Sequence, residues 1–86
     1  MLDTIKPWLG KVVKHFKGDL YLVLMVAEHC DTGQLFVVYK ALYDDCKVYI
    51  RPLEEFMSKH PKFDVSRFEI TQINSVKGEF NPSLLN

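Results

Sequence analysis

The chain has 86 residues, 48% of them apolar and 26% charged, the composition of one small globular domain with a thin core and no room for a second domain. Eleven Lys plus Arg balance eleven Asp plus Glu, so no field of one sign exists to draw the protein onto nucleic acid or an anionic membrane. The longest apolar run, Leu20 through Ala27, falls far short of the ~20 residues of a membrane helix. Met1-Leu2-Asp3-Thr4 lacks the segments of a signal peptide, so a cytoplasmic location with Cys30 and Cys46 as reduced thiols is expected.

From Lys11 to Phe16 the residues are β-branched and aromatic, and Lys17-Gly18-Asp19 supplies turn chemistry, with a glycine free to take positive φ. This predicts a first strand and its turn. Leu20 to Glu28 is apolar on both faces through Tyr21, Leu22, Val23, Leu24, Met25 and Val26, the pattern of a central strand. Helix is the competing reading, and length, flanking glycines and valine content favour strand. Cys30-Asp31-Thr32-Gly33 predicts a hairpin turn with Gly33 in the left-handed region. The strand leaving it, Leu35 to Leu42, places Leu35, Val37, Tyr39 and Ala41 on one face and Phe36, Val38, Lys40 and Leu42 on the other.

Asp44-Asp45 marks a loop and Val48-Tyr49-Ile50-Arg51 a short fourth strand. Pro52 with Glu54 and Glu55 behind it predicts a short helix or 3-10 turn within Pro52 to Lys59, because proline suits a first helical position and acids suit a first turn. Phe56 and Met57 are its expected inward residues, and His60-Pro61 is expected to stop it. Phe68-Glu69-Ile70 adds a fifth short strand. The expected domain spans residues 1–73, with 74–86 a loosely held C-terminal tail. Four or five short strands with tight connections predict a mostly β protein, a small SH3-like barrel or roll with one short helix after Pro52.

The blocks His15-Phe16-Lys17-Gly18, Val37-Val38-Tyr39-Lys40-Ala41-Leu42-Tyr43 and Arg51-Pro52-Leu53, with Ala27-Glu28-His29, Thr32-Gly33 and Phe56 between and after them, resemble the bacterial domain-of-unknown-function family numbered sixteen fifty-three. The resemblance runs from about Gly10 to Phe68 and implies a small SH3-like β-barrel with no established activity. Asp45 stands where that family commonly has Gly, and Tyr49 where it often has Trp.

Few residues point to chemistry. His15, His29, His60, Cys30 and Cys46 carry metal-capable atoms, but no Cys-x-x-Cys or His-x-x-x-His spacing joins two of them, so no metal and no cofactor are expected. His29 beside Cys30 does not form a nucleophile and base if both lie on a strand, where neighbours point to opposite faces. Lys14, Lys17, Lys40, Lys47 and Arg51 interleave with Tyr21, Tyr39, Tyr43 and Tyr49, a mixture that suits single-stranded nucleic acid, though the neutral charge removes the electrostatic share of such binding.

The strongest group for a ligand is His15, His29, Tyr39, Tyr43, Tyr49 and Arg51. A planar guanidinium at a strand end can grip a carboxylate or phosphate, and tyrosines offer a flat, half-apolar platform. The bland alternative pairs Arg51 with Glu28 or Asp44 and leaves the tyrosines in the core. The leading expectation is a module that binds a protein or peptide; the alternative is a small-molecule or nucleotide-processing accessory enzyme using Arg51 and a histidine, and the third is a nucleic-acid binder. An enzyme needs a concave pocket holding a perturbed acid or base, whereas a module needs only an exposed platform.

Overall fold

The structure is a computed structural model that describes residues 2–62 and 65–71. Five strands carry it: β1 (Val12–His15), β2 (Leu20–Glu28), β3 (Leu35–Ala41), β4 (Val48–Pro52) and β7 (Phe68–Ile70). They form one antiparallel sheet in the order β4-β3-β2-β1-β7. A second, two-stranded sheet pairs β5 (Lys59–His60) with β6 (Val65–Ser66). The mostly β architecture, the central place of Leu20–Glu28 and the fifth strand at Phe68–Ile70 follow the sequence reading. Among the described strands the sheet is not closed into a barrel. The expected tail at 74–86 lies outside the described residues.

Both parities of β2 contribute inward residues because the strand contains an irregularity. Its register with β3 shifts between Val23 and Met25, so a bulge at Leu24 changes which parity faces inward. Before the bulge Tyr21 and Val23 face the core, and after it Val26 does. Leu35, Val37, Tyr39 and Ala41 of β3 keep the single inward face that strict alternation predicts, and the last three are buried.

Two helical segments, one near the start of the chain and one after β4, close the inner face. Helix α1 (Leu2–Ile5) and a 3-10 turn (Lys6–Trp8) deliver Ile5 and Trp8. Helix α2 (Leu53–Phe56) delivers Leu53 and Phe56, with Met57 behind it. Phe56 stacks on Phe68 at 4.2 Å between ring centroids, nearly parallel, and meets Trp8 edge-on at 6.0 Å. Offset and edge-on aromatic pairs of this kind add about 0.5–1.5 kcal/mol beyond their area burial.

Helix α2 is the short helix expected after Pro52, with Pro52 ending β4 as the helix N-cap in extended backbone. Two local features differ from the sequence reading. Lys59–His60, expected as the helix end, instead pairs with Val65–Ser66. The helical N-terminal segment is absent from the sequence reading, since a four-residue helix is barely one turn and has no repeat to read. The Gly18 and Gly33 turns are as expected, at φ of 109° and 77°. In the loop after β3 the left-handed residues are Asp44 and Cys46, at φ of 49° and 54°, flanking Asp45.

Candidate binding surface

β-Pairing brings the aromatic residues together. Tyr39 lies opposite Val23 on one side and Tyr49 on the other, and Val13 opposite Tyr21 extends the row towards β7. Tyr21 sits at the centre, edge-on to Tyr39, Tyr43, Tyr49, Phe68 and His15 at 5.3–6.5 Å between centroids. The hydroxyls of Tyr21 and Tyr43 are 2.7 Å apart and share a hydrogen bond. Burial, and then that bond, pushes the Tyr21 phenol well above its ordinary titration range.

The six residues expected to serve a ligand divide into three groups. Tyr39 is core, 4% exposed. Tyr43, Tyr49, His15 and Arg51 border the same aromatic cluster from its accessible rim, with Tyr49 40% exposed. His29 stands apart in the β2–β3 turn, where its Nδ1 accepts from the backbone N–H of Asp31 and Thr32. His15 Nδ1 accepts from the Lys17 N–H and His60 Nδ1 from the Lys62 N–H, each at 3.1 Å. All three histidines therefore cap their own turns, as Asn and Asp do in Asx turns.

Arg51 is held from two sides. Its Nε donates to the Tyr39 hydroxyl at 3.2 Å and its Nη1 to the Glu55 carboxylate on α2, while the guanidinium carbon lies 6.0 Å from the Phe68 ring centre. Glu55 takes the place of the Glu28 or Asp44 expected from sequence. Burial opposes the Arg51 charge, and the Tyr39 and Glu55 contacts more than offset it. Burial, then Arg51, Lys17 and Arg67, lower the His15 value below 6.5 against a weaker pull from Asp19. The rim is thus an aromatic surface whose guanidinium is paired with Glu55 and on which the cationic form of His15 is disfavoured.

Sequence reasoning missed Tyr21 as the hub and Glu55 as the partner. Tyr21 shares its parity with Val23, which marks it as inward-facing, but its place among the other rings depends on pairing register. Glu55 was read as a helix-start acid, and the strand-to-helix corner at Pro52 turns it back onto Arg51.

Two other features collect reactive groups. His29, Cys30 and Asp31 bring ligand atoms within 4.8 Å of one another on the exposed turn, because the chain has left the strand at Glu28 and neighbouring side chains no longer diverge. The His29 Nδ1 is already occupied by backbone donors, which leaves Nε2. Separately, a cavity of about 590 Å³ is lined by Lys14, Phe16, Lys17, Val65, Ser66 and Glu69. Lys14 and Glu69 are cross-strand neighbours turned away from the core. Neither Arg51 nor a histidine lines it.

The chain belongs to the DUF1653 family, described as a protein of unknown function, whose profile matches residues 11–70. Among solved structures it is similar to a DUF1653 protein from Bordetella bronchiseptica, with a TM-score of 0.65 and 27% identity over 78% of this chain and 91% of that one. No curated protein matches it. The matched span takes in all five strands of the main sheet and every residue of the aromatic rim.

Proposed function

We propose that this protein is a small cytoplasmic binding module, an SH3-like roll that recognises an extended peptide on the rim formed by Tyr43, Tyr49, His15 and Arg51 over Tyr21. The observation that carries the reading is the placement of half-exposed Tyr49 beside a charged guanidinium already fixed by Tyr39 and Glu55. A pre-positioned Arg loses little side-chain entropy on gripping a carboxylate. Rigid tyrosines beside it supply flat contact area with few rotatable bonds. The curl of the sheet, which brings Phe68 of β7 to Arg51 of β4 across the core, supports the SH3-like description.

The enzyme alternative is less well supported. It needs Arg51 and a shifted histidine inside a concave site, whereas the cavity at Lys14 and Lys17 contains neither. His29 is outside the proposed surface, serving its turn, and Tyr39 acts from beneath by orienting Arg51.

The test is an array of extended peptides carrying Asp, Glu or a free C-terminal carboxylate next to an aromatic residue, probed with the wild type and with Tyr49→Ser. Binding to a carboxylate-bearing subset, reduced at least tenfold in Tyr49→Ser, is the expected result. Equal binding by both proteins contradicts the proposal.

A further inference from the structure

We infer that β4 is a self-recognition edge, through which two copies of this chain pair antiparallel about Ile50 to make one sheet running through both. The inference is independent of any peptide ligand and rests on the hydrogen-bonding phase of the strand.

β4 ends the main sheet, and among the described residues no strand pairs with its outer side. Its register with β3 matches Tyr39 to Tyr49 and Val37 to Arg51, and the next match of the same parity, Ala41 to Lys47, carries an N–H to carbonyl bond of 2.8 Å. In an antiparallel ladder, residues alternate between bonding inward and outward. Lys47, Tyr49 and Arg51 therefore bond to β3, and the backbone groups of Val48, Ile50 and Pro52 point outward. Pro52 lacks an N–H, and its place in the outward set fits an edge position.

Pairing about Ile50 uses this set in a self-complementary way. Each Ile50 gives one bond to the second copy and takes one back. The Val48 N–H meets the Pro52 carbonyl of the second copy, while the absent proline N–H leaves the Val48 carbonyl to water, so each end of the paired segment carries one bond where an unbroken ladder carries two.

The side chains agree on both faces. Val48 and Ile50, 55% and 63% exposed, would meet Pro52 and Ile50 of the second copy beside exposed Met25 and half-buried Val38. On the other face Tyr49 would stand across from Arg51 of the second copy, an aromatic and a cation at cross-strand distance. Of the usual protections of an edge, β4 has Arg51 and Pro52 at its C-terminal end, but no internal lysine and no bulge in its register with β3, and its Val48–Ile50 stretch is uncharged. With a formal net charge of zero, like-charge repulsion does not keep two copies apart.

The experiment is sedimentation equilibrium of the full chain across micromolar to millimolar concentration, for the wild type and for Ile50→Lys, with amide hydrogen exchange on both. Ile50→Lys sets two lysines directly opposite each other across the two-fold axis, and its exposed position leaves the monomer fold intact, which circular dichroism checks. The expected result is a wild-type dimer, a monomeric Ile50→Lys, and Val48 and Ile50 amides whose protection rises with wild-type concentration. Ile50→Thr, a milder change on a strand-favouring residue, is expected to weaken the dimer less. A wild type that stays monomeric throughout, a dimer unaffected by Ile50→Lys, or exchange at Val48 and Ile50 that ignores concentration overturns the inference.

Discussion

The Tyr39 hydroxyl, anchored by a ring that is 4% exposed, accepts a hydrogen bond from Nε of Arg51 at 3.2 Å. A core residue thus sets the direction of the one guanidinium on the candidate binding rim. The pair links the thin core to the surface, and it makes Tyr39 a positioning residue with no ligand contact of its own.

Arg51→Lys removes the Nε donor and the planar fork while keeping the charge. A neutral-acceptor hydrogen bond is worth about 0.5–1.5 kcal/mol net, so denaturant unfolding should show a loss of about 1 kcal/mol. Arg51→Ala also gives up the Glu55 pair and the packing over Phe68. With the Arg51 and Glu55 side chains 28% and 46% exposed, the ion pair itself contributes only about 0–1 kcal/mol. The total for the Ala variant should be about 1–2 kcal/mol, well under the ~3–5 kcal/mol of breaking a buried pair. A loss in that higher range would assign Arg51 to structure rather than recognition. Tyr39→Phe, which removes the acceptor that orients Arg51, should weaken peptide binding while leaving Tyr43 and Tyr49 in place.

Cys46 holds a left-handed conformation at φ 54°, which costs an L-residue roughly 1–2 kcal/mol. Glycine there relieves the strain and raises the entropy of the unfolded chain by about 0.4–1 kcal/mol. Cys46→Gly should therefore leave stability unchanged or raise it by up to about 1.6 kcal/mol. Cys46→Val, β-branched at positive φ, should lower the thermal midpoint. The reverse order would show that the loop does not hold this conformation in solution.

His15 should titrate below 6.5, because burial and the charges of Arg51, Lys17 and Arg67 disfavour its cationic form. Protonating Nδ1 also breaks the bond it accepts from the Lys17 N–H. The unfolded chain binds the proton more tightly than the folded one, so the stabilisation is fully present above pH 6.5 and is lost as pH falls through the lower folded value. His60 is shifted the same way by burial, Arg67, Lys17 and Lys62. The thermal midpoint should drop on going from pH 7 to pH 5, and His15→Gln should flatten part of that slope. A midpoint independent of pH over this range would contradict the assignment.

The sequence revealed the main-sheet strands more readily than it revealed the site. Alternation in Leu35–Leu42 and the turn chemistry at Gly18 and Gly33 are local signals, and both appear where expected. The bulge at Leu24 is not local, since it depends on how β2 pairs with β3, and α1, β5 and β6 are too short to show periodicity. Aromatic and basic residues could be named from composition, but which of them meet depends on register. Tyr21 became the hub, Tyr39 went into the core, and His29 was set aside in a turn for that reason. The partner of Arg51 was misread because the corner at Pro52 folds Glu55 back onto the strand, a contact no spacing rule foretells across a strand-to-helix junction.

The central claim is that the aromatic rim, and no other part of the molecule, receives the ligand. The direct measurement is a two-dimensional NMR titration of the isotope-labelled full chain with the tightest carboxylate-bearing peptide from the array, reading amide and Arg Nε shifts. The account predicts saturable shifts centred on Tyr43, Tyr49, Arg51 and His15, with the Arg51 Nε signal among the largest and with His29 and Cys30 unmoved. Shifts centred instead on Lys14, Lys17, Ser66 and Glu69 would place the ligand in the cavity on the opposite face and contradict it.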